Sequence, residues 1–416
     1  MEEKKKNIPK RRFKEFQNAD AWEQREWNNA IKISTEMVNP QEKMFKNLPH
    51  VAPGNLESFT GRILNNVKSV KEENLISGKF IFRPGDIIYG KINPQLAKYA
   101  LVNFEGLTSA DAYILKNLSG FHQLFIFYQL QTKNFYDYSV SVSKRSGMPK
   151  VNRSELADYK FNSPKIDEQK LIGEILFKID QTITLHQRKL DKYKAIKESY
   201  LQEMFPAEGQ RKPKRRFPGF TEDWEQRELR CIASMNARIG WQNLRKDEFL
   251  DNGNYYLITG TDFNNGYVDL KNCYYVDKYR YDQDKKIQVK QESILITKDG
   301  TLGKVAMVKE LKKPATLNAG IFNVIKKTNE IDTYFLYEYL KAPFLMDYVN
   351  KRATGGTIKH LNQNILVNFP IKLPSLNEQK KLGSLFRDLN QAITLHQKKL
   401  DKLKKLKEAL LEEMFV

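Results

Sequence analysis

The residue types that most often catalyse reactions or bind metals are few in this sequence and widely spaced. Only Cys231 and Cys273 carry thiols, and no H-E-x-x-H motif is present. No Ser–His–Asp or Cys–His arrangement can be recognised among them. The histidines are His50, His122, His186, His360 and His396. The sequence therefore predicts no catalytic residues, no metal and no cofactor.

Two short stretches resemble motifs of nucleotide-binding or base-modifying enzymes, but each motif is incomplete. The segment from Gly300 to Val305 resembles a phosphate-binding loop, but it is too short, and Val305 stands where magnesium binding needs Ser or Thr. We interpret this segment as a turn. The segment Asn93–Leu96 lacks the second proline and the aromatic residue of the amino-methyltransferase signature, so the sequence does not predict methylation of bases by this chain.

Basic loops are the remaining candidates for chemistry. Arg, Lys, Thr and His side chains on loops can contact base edges and phosphates of DNA. Each side chain could instead be ordinary solvated surface. The predicted DNA-binding residues are Lys144, Arg145, Lys150, Lys298, Thr301, Arg352, Thr357, Lys359 and His360.

The charge balance supports an anionic partner. The 416 residues carry a formal net charge of +20, from 70 Lys and Arg against 50 Asp and Glu. This favours a polyanion such as nucleic acid, although a membrane surface or an acidic protein would also fit. No apolar run is long enough to cross a membrane, and the N-terminal residues do not resemble a secretion signal. With only two cysteines, a cytoplasmic location is expected.

Two stretches of about 40 residues repeat each other and must organise the rest. Residues 166–205 and 376–415 are identical at 21 of 40 positions with no gap. Apolar residues recur every three and four positions, which predicts two long helices in an antiparallel coiled coil. The alternative is that each helix packs only on a globular domain. The central seam positions are Ile179, Ile183, His186 and Leu190 in the first copy, and Leu389, Ile393, His396 and Leu400 in the second.

The repeat extends beyond the helices. Pro9–Phe13 matches Pro213–Phe217, and Trp22–Glu26 matches Trp224–Glu228. The basic segments could contact phosphate or serve as solvated tethers. Between the repeats lie two divergent segments with strand and turn signals, in which Asp86–Lys91 aligns with Ser293–Lys298. Each also contains an aromatic-rich stretch, residues 121–138 and 333–348, that predicts one helix.

These patterns predict an α+β fold with an internal pseudo-two-fold repeat. Two globular mixed α/β domains alternate with two long helices. The expected divisions are 1–165 for the N-terminal segment and first domain, 166–205 for the first helix, 206–375 for a linker and the second domain, and 376–416 for the second helix.

The whole pattern resembles the specificity subunit of type I restriction–modification systems. Each helix copy begins with a Pro followed by Glu-Gln, at Pro164, Glu168 and Gln169 and again at Pro374, Glu378 and Gln379. The resemblance implies two target recognition domains, each reading half of a bipartite site in double-stranded DNA. It also implies spacer helices on which two methyltransferase subunits dock, with restriction/translocase subunits completing the complex and supplying the catalysis.

Two other functions remain open at this point. A non-catalytic coiled-coil scaffold that binds other proteins would explain the helices, but not the divergent segments with basic loops. An autonomous DNA enzyme would need catalytic motifs that the sequence lacks.

Overall fold

The computed structural model describes residues 7–144, 147–240, 243–352 and 361–416. The chain forms two compact units, each of which combines β-sheets, short helices and parts of two long helices. The first unit contains residues up to Arg188 together with Gln397–Val416, and the second contains Lys189–His396. The predicted α+β class with an internal repeat is confirmed.

The first unit contains three sheets. The strands are β1 (Glu23–Glu26), β2 (Ile31–Ile33), β3 (Met37–Val38), β4 (Pro49–His50), β5 (Lys68–Ser69), β6 (Lys79–Phe82), β7 (Ile87–Gly90), β8 (Tyr99–Leu101), β9 (Gly106–Thr108), β10 (Ala112–Asn117) and β11 (Lys160–Ser163). One sheet has the antiparallel order β2-β10-β7-β8, a second has the order β3-β6-β9-β4-β5, and β1 pairs with β11.

The second unit repeats part of this pattern and then diverges. Its strands are β12 (Glu225–Glu228), β13 (Ala233–Asn236), β14 (Tyr255–Ile258), β15 (Phe263–Asn264), β16 (Tyr267–Val268), β17 (Tyr274–Val276), β18 (Gln288–Val289), β19 (Ile294–Thr297), β20 (Val305–Met307), β21 (Ala315–Leu317), β22 (Ile321–Lys326) and β23 (Pro370–Leu373). The order β13-β22-β19-β20 matches β2-β10-β7-β8, and the pair β12–β23 matches β1–β11. The sheet β17-β14-β21-β18 has its own topology, with a parallel pair β14–β21.

The helices also repeat in order. They are α1 (Gln123–Gln129), α2 (Lys133–Val142), α3 (Arg153–Ala157), α4 (Ile166–Glu203), α5 (Leu229–Ile232), α6 (Lys278–Asp282), α7 (Thr333–Lys341), α8 (Phe344–Arg352), α9 (Gln363–Val367) and α10 (Leu376–Met414). Each aromatic-rich stretch, predicted as one helix, is in fact two. Thr132 caps α2 by accepting a hydrogen bond from the Phe135 N–H, and Pro343 holds Ala342 extended between α7 and α8.

The two long helices pair in antiparallel fashion within each unit, as predicted. In the second unit, Tyr193 stacks on His396 at 5.5 Å, and Phe205 lies 5.6 Å from Phe386 between ring centroids. Residue numbers rise along α4 as they fall along α10, which is the antiparallel sense. In the first unit, Leu410 and Met414 of α10 share a hydrophobic core with Ile172 and Leu176 of α4.

The seam positions differ in burial. Ile183, Ile393 and His186 are partly exposed, so the seam is not uniformly closed. The buried seam residues are Ile179, Leu190, Leu389, His396 and Leu400.

Each long helix ends against a tryptophan of the repeated segment. Phe415 lies 5.2 Å from Phe125 and 6.3 Å from Trp22 in the first unit. Phe205 makes the equivalent contacts in the second unit, 5.9 Å from Phe335 and 6.0 Å from Trp224. These aromatic clusters explain why the sequence Met-Phe closes both helix repeats: each Phe fills the core of a domain.

In the described part of the basic segments before the tryptophans, one arginine of each segment is held in an ion pair with a long helix. Arg12 forms a two-point ion pair with the buried Glu168, with both N–O distances at 2.7 Å. Arg216 does the same with Glu378, at 2.7 and 2.8 Å. The glutamate side chains are 2% and 1% exposed, so each guanidinium neutralises a buried carboxylate at the start of a long helix.

Each long helix also carries a glycine where it passes a domain helix. A Cβ atom on Gly173 would lie 2.6 Å from the Leu124 Cβ and 3.1 Å from the Phe125 backbone nitrogen. A Cβ atom on Gly383 would lie 3.1 Å from the Phe335 backbone nitrogen. The repeated glycines therefore permit a close approach between helix backbones.

A lysine on each long helix is buried in a polar cluster. In the first unit, Lys407 Nζ lies 2.7 Å from Asp180 Oδ1, and the Tyr128 hydroxyl donates a 2.8 Å hydrogen bond to Asp180. In the second unit, Lys197 Nζ donates to Asn390 Oδ1 at 2.7 Å and lies 2.9 Å from Glu338 Oε2. The positions are equivalent in the repeat, but the carboxylate is on the long helix in one unit and on α7 in the other.

Candidate nucleic-acid interface

After α2, the chain of the first unit passes the end of β7. Lys144 and Lys150 are both exposed. Lys150 forms a β-bridge with Ile92, and the next residue, Val151, donates a 2.9 Å hydrogen bond to the Lys91 carbonyl. The chain therefore returns to the end of β7, with the side chains of Lys144 and Lys150 exposed to solvent. Arg145, also predicted to bind DNA, lies outside the described residues.

The second unit has a turn at the end of β19, the strand that is equivalent to β7. Gly300 and Gly303 have φ angles of +70° and +69° in the connection between β19 and β20. Left-handed backbone of this kind is accessible to glycine at little cost, and the predicted turn is confirmed. Thr301 is exposed in this turn, and its carbonyl accepts a hydrogen bond from the Thr297 hydroxyl.

Arg352 and Lys298 flank the second basic loop. Arg352 ends α8 with its guanidinium carbon 3.7 Å from the centroid of the Tyr348 ring. The Leu361 N–H, just after the loop, donates a 2.8 Å hydrogen bond to the Lys298 carbonyl. Thr357, Lys359 and His360 lie outside the described residues, so their prediction as DNA ligands rests on sequence alone.

The structure brings one further lysine into the same position in the first unit. Lys91 follows β7 as Lys298 follows β19, and the two residues make equivalent backbone hydrogen bonds. The Lys91 ammonium lies 5.2 Å from the centroid of the Tyr113 ring, and that of Lys298 lies 5.8 Å from Phe322. Lys91 and Lys298 are equivalent in the alignment of Asp86–Lys91 with Ser293–Lys298, although only Lys298 is among the predicted DNA-binding residues.

The remaining chemistry of the described chain is sparse. No group of three or more His, Cys, Asp or Glu side chains in the described ranges could hold a metal ion. Among those same residues, none of the helices combines the length and apolar character needed to span a lipid bilayer. Among the described residues, the candidate DNA contacts are Lys91 and Lys298 together with Lys144, Lys150, Thr301 and Arg352.

Comparison with known proteins finds the same family twice in the chain. The sequence profile described as "Type I restriction modification DNA specificity domain" matches residues 34–195 and again residues 221–405. A type I restriction enzyme EcoDI specificity subunit from Escherichia coli is 29% identical over 178 residues, which is 41% of this chain and 38% of that protein. The MjaVIII specificity subunit from Methanocaldococcus jannaschii is 23% identical over 69% of this chain and 68% of its own length.

The fold has a counterpart among solved structures. The crystal structure of a type I restriction–modification S subunit from M. genitalium superimposes with a TM-score of 0.68 at 16% identity, covering 98% of this chain and 99% of the other. At that identity the likeness establishes the fold alone. The profile, in contrast, accounts for most of the chain in two successive matches. This chain belongs to the family of type I restriction–modification DNA specificity proteins.

Proposed function

We propose that this protein is the DNA specificity subunit of a type I restriction–modification complex. The divisions 1–165 and 206–375 act as target recognition domains, and each reads one half of a bipartite site in double-stranded DNA. The observation that carries this proposal is a framework repeated within one chain, with different loops inserted at the same places. A protein that reads two unlike half-sites needs this combination.

The framework is repeated in the structure as well as in the sequence. The sheet order, the tryptophan at the helix end and the Arg–Glu pair at the helix start occur in both units. The basic loops, by contrast, differ in sequence, and the second sheets differ in topology. Since buried positions maintain the fold, the exposed loops are free to determine which bases are read.

Charge supplies affinity that does not depend on sequence. A net charge of +20 favours contacts with the phosphate backbone, and binding should therefore weaken as salt increases. Base contacts from the loops would then select the site. The candidate residues remain Lys144, Arg145, Lys150, Lys298, Thr301, Arg352, Thr357, Lys359 and His360.

The long helices would set the spacing of the half-sites and dock two methyltransferase subunits. Methylation, cleavage and translocation would belong to those subunits and to the restriction subunits, which makes this chain non-catalytic and active where the chromosome is, in the cytoplasm. A scaffold that binds only proteins accounts for the helices, but it leaves the divergent basic loops without a role.

Domain exchange tests the proposal. Residues 230–375 are replaced by the corresponding segment of another family member, and the chain is co-expressed with its methyltransferase partner. Mapping of methylated sites should show one half of the bipartite sequence changed and the other retained. The reciprocal control, exchange of residues 28–165, should change only the opposite half. Changes in both halves, or in neither, would refute the assignment of one half-site to each domain.

A further inference from the structure

We infer that Lys91, Tyr113 and Arg153 form an anion-binding cleft that takes a phosphodiester group of DNA. The inference rests on the proposed function, and it names a binding site that the basic loops do not include. Lys91 follows β7, Tyr113 is on β10 and Arg153 begins α3. These elements meet at the base of the loop that contains Lys144 and Lys150.

Two cations approach the same aromatic ring. The Lys91 ammonium is 5.2 Å and the Arg153 guanidinium carbon 5.7 Å from the centroid of Tyr113. The Tyr113 hydroxyl donates a 3.2 Å hydrogen bond to the Val151 carbonyl, which fixes the ring. The cleft is lined by Ser34, Phe80, Lys91, Tyr113, Asn152 and Arg153.

Across the part of the chain that the structure describes, no carboxylate forms an ion pair with Lys91 or Arg153. Five other arginines of the first unit do form ion pairs, with Glu413, Glu168, Glu23, Glu57 and Glu36 as the partners of Arg11, Arg12, Arg25, Arg62 and Arg83. Cation–π attraction to the Tyr113 ring leaves both positive charges unneutralised. An anion in the cleft would offset the charge of the two cations that line it.

The position suits backbone contact better than base reading. The Lys91 carbonyl accepts a hydrogen bond from Val151 at the end of the basic loop, so a phosphate held here would place the DNA beside that loop. Arg153 contacts the Ser34 carbonyl at 3.5 Å through one nitrogen, which leaves its other N–H groups available. Both cationic side chains line the cleft and carry N–H donors that suit the anionic oxygens of a phosphodiester.

The second unit has only half of this arrangement. Lys298 lies over Phe322, but the position equivalent to Arg153 is the neutral Gln363, which donates a 2.9 Å hydrogen bond to the Met235 carbonyl. The first domain should therefore hold its half-site with a larger salt-dependent contribution at this position than the second domain does.

The test measures DNA affinity as a function of salt. The whole chain, assembled with its methyltransferase partner, is titrated against a duplex with its bipartite site and against a scrambled duplex, between 50 and 200 mM salt. For Lys91→Gln/Arg153→Gln, the slope of log K against log salt should become less negative by about 0.9, the value for one phosphate contact. Wild-type affinity should then fall about 3- to 4-fold more than that of the variant over this range. The site mapped by methylation should stay the same.

Two controls separate charge from structure. Lys68→Gln/Lys71→Gln removes two exposed cations of the same domain and should leave the slope near that of wild type. Lys91→Arg/Arg153→Lys keeps both charges and should do the same. An unchanged slope in the Gln variant, an equal change in either control, or an altered half-site sequence would each overturn the phosphate assignment. Wild-type protein that does not distinguish the two duplexes would instead refute the proposed function itself.

Discussion

Removing Lys197 should destabilise the second unit strongly, because its ammonium neutralises a carboxylate that water cannot reach. The Glu338 side chain is 1% exposed and lies 2.9 Å from Lys197 Nζ. Asn390 Nδ2 donates a 2.5 Å hydrogen bond to Glu338 Oε1, but an amide cannot neutralise the charge. In Lys197→Met, the carboxylate would remain buried with its main counter-ion missing.

The expected cost follows from this burial. Breaking a buried ion pair on one side costs roughly 3–5 kcal/mol. A second cation of the cluster, Lys341, should compensate in part. Its pKa is lowered to about 8, first by burial and then by the positive charge of Lys197. A lysine with a pKa of about 8 is mostly charged at neutral pH, and Lys197→Met removes the repulsion it feels. Lys341 should therefore partly neutralise Glu338 and bring the loss toward the lower value, about 3 kcal/mol. This corresponds to a fall in Tm of roughly 6–12 °C for a domain of this size.

A double variant separates the charge from the packing. Lys197→Met/Glu338→Gln replaces the carboxylate by an amide that can still hydrogen-bond to Asn390, so it should recover most of the stability, to within about 1 kcal/mol of wild type. The matched control is Lys407→Met in the first unit. It should cost less, because the Asp180 side chain is 23% exposed and keeps its hydrogen bond from Tyr128.

Hydrogen exchange, measured on peptides from each unit as the protein is heated, would report the stability of the two units separately. If the single and double variants lose the same stability, the carboxylate is not the source of the loss. If Lys407→Met is as costly as Lys197→Met, burial of the acid does not set the magnitude.

Three further predictions concern stability. The pKa of Lys341 is about 8 in the folded protein and 10.5 ordinarily, so between these pH values the unfolded state holds a proton on Lys341 that the folded state has released. This group should make the stability of the second unit rise with pH in that window, and Lys341→Met should flatten the Tm profile. Arg216→Met should lower the stability of the second unit by about 3–5 kcal/mol in urea titrations, because it strands Glu378, whereas a loss below 1 kcal/mol would contradict this account. Gly173→Ala and Gly383→Ala should each destabilise by about 1–3 kcal/mol, although alanine normally favours a helix; a higher Tm would show that the helices can separate without cost.

The repeated framework could be predicted because the same sequence pattern occurs twice in the chain. The 3.5-residue period and the matching residues predict the long helices, and both Trp segments announce the start of each repeat. The turn at Gly300 could also be predicted, since its spacing excludes a phosphate loop. The break between α7 and α8 was missed although Pro343 signals it.

What could not be predicted depends on contacts between distant residues. Nothing near Lys407 or Lys197 in the sequence indicates that one lysine meets an acid on the opposite long helix and the other an acid on α7. The Arg12–Glu168 pair likewise joins residues far apart in the chain, so its local context suggested only a basic surface. Lys91 became a candidate once its position over Tyr113 was visible, and the loop residues remain predictions.

The composition of the first unit affects the order in which the protein can mature. Its core includes Leu410, Met414 and Phe415, so a chain emerging from the ribosome contains the whole first sheet long before the segment that closes its core. The N-terminal domain therefore cannot complete its core until the second domain has been synthesised. A nascent chain interrupted before Gln397 would expose apolar surface on the domain that was made first.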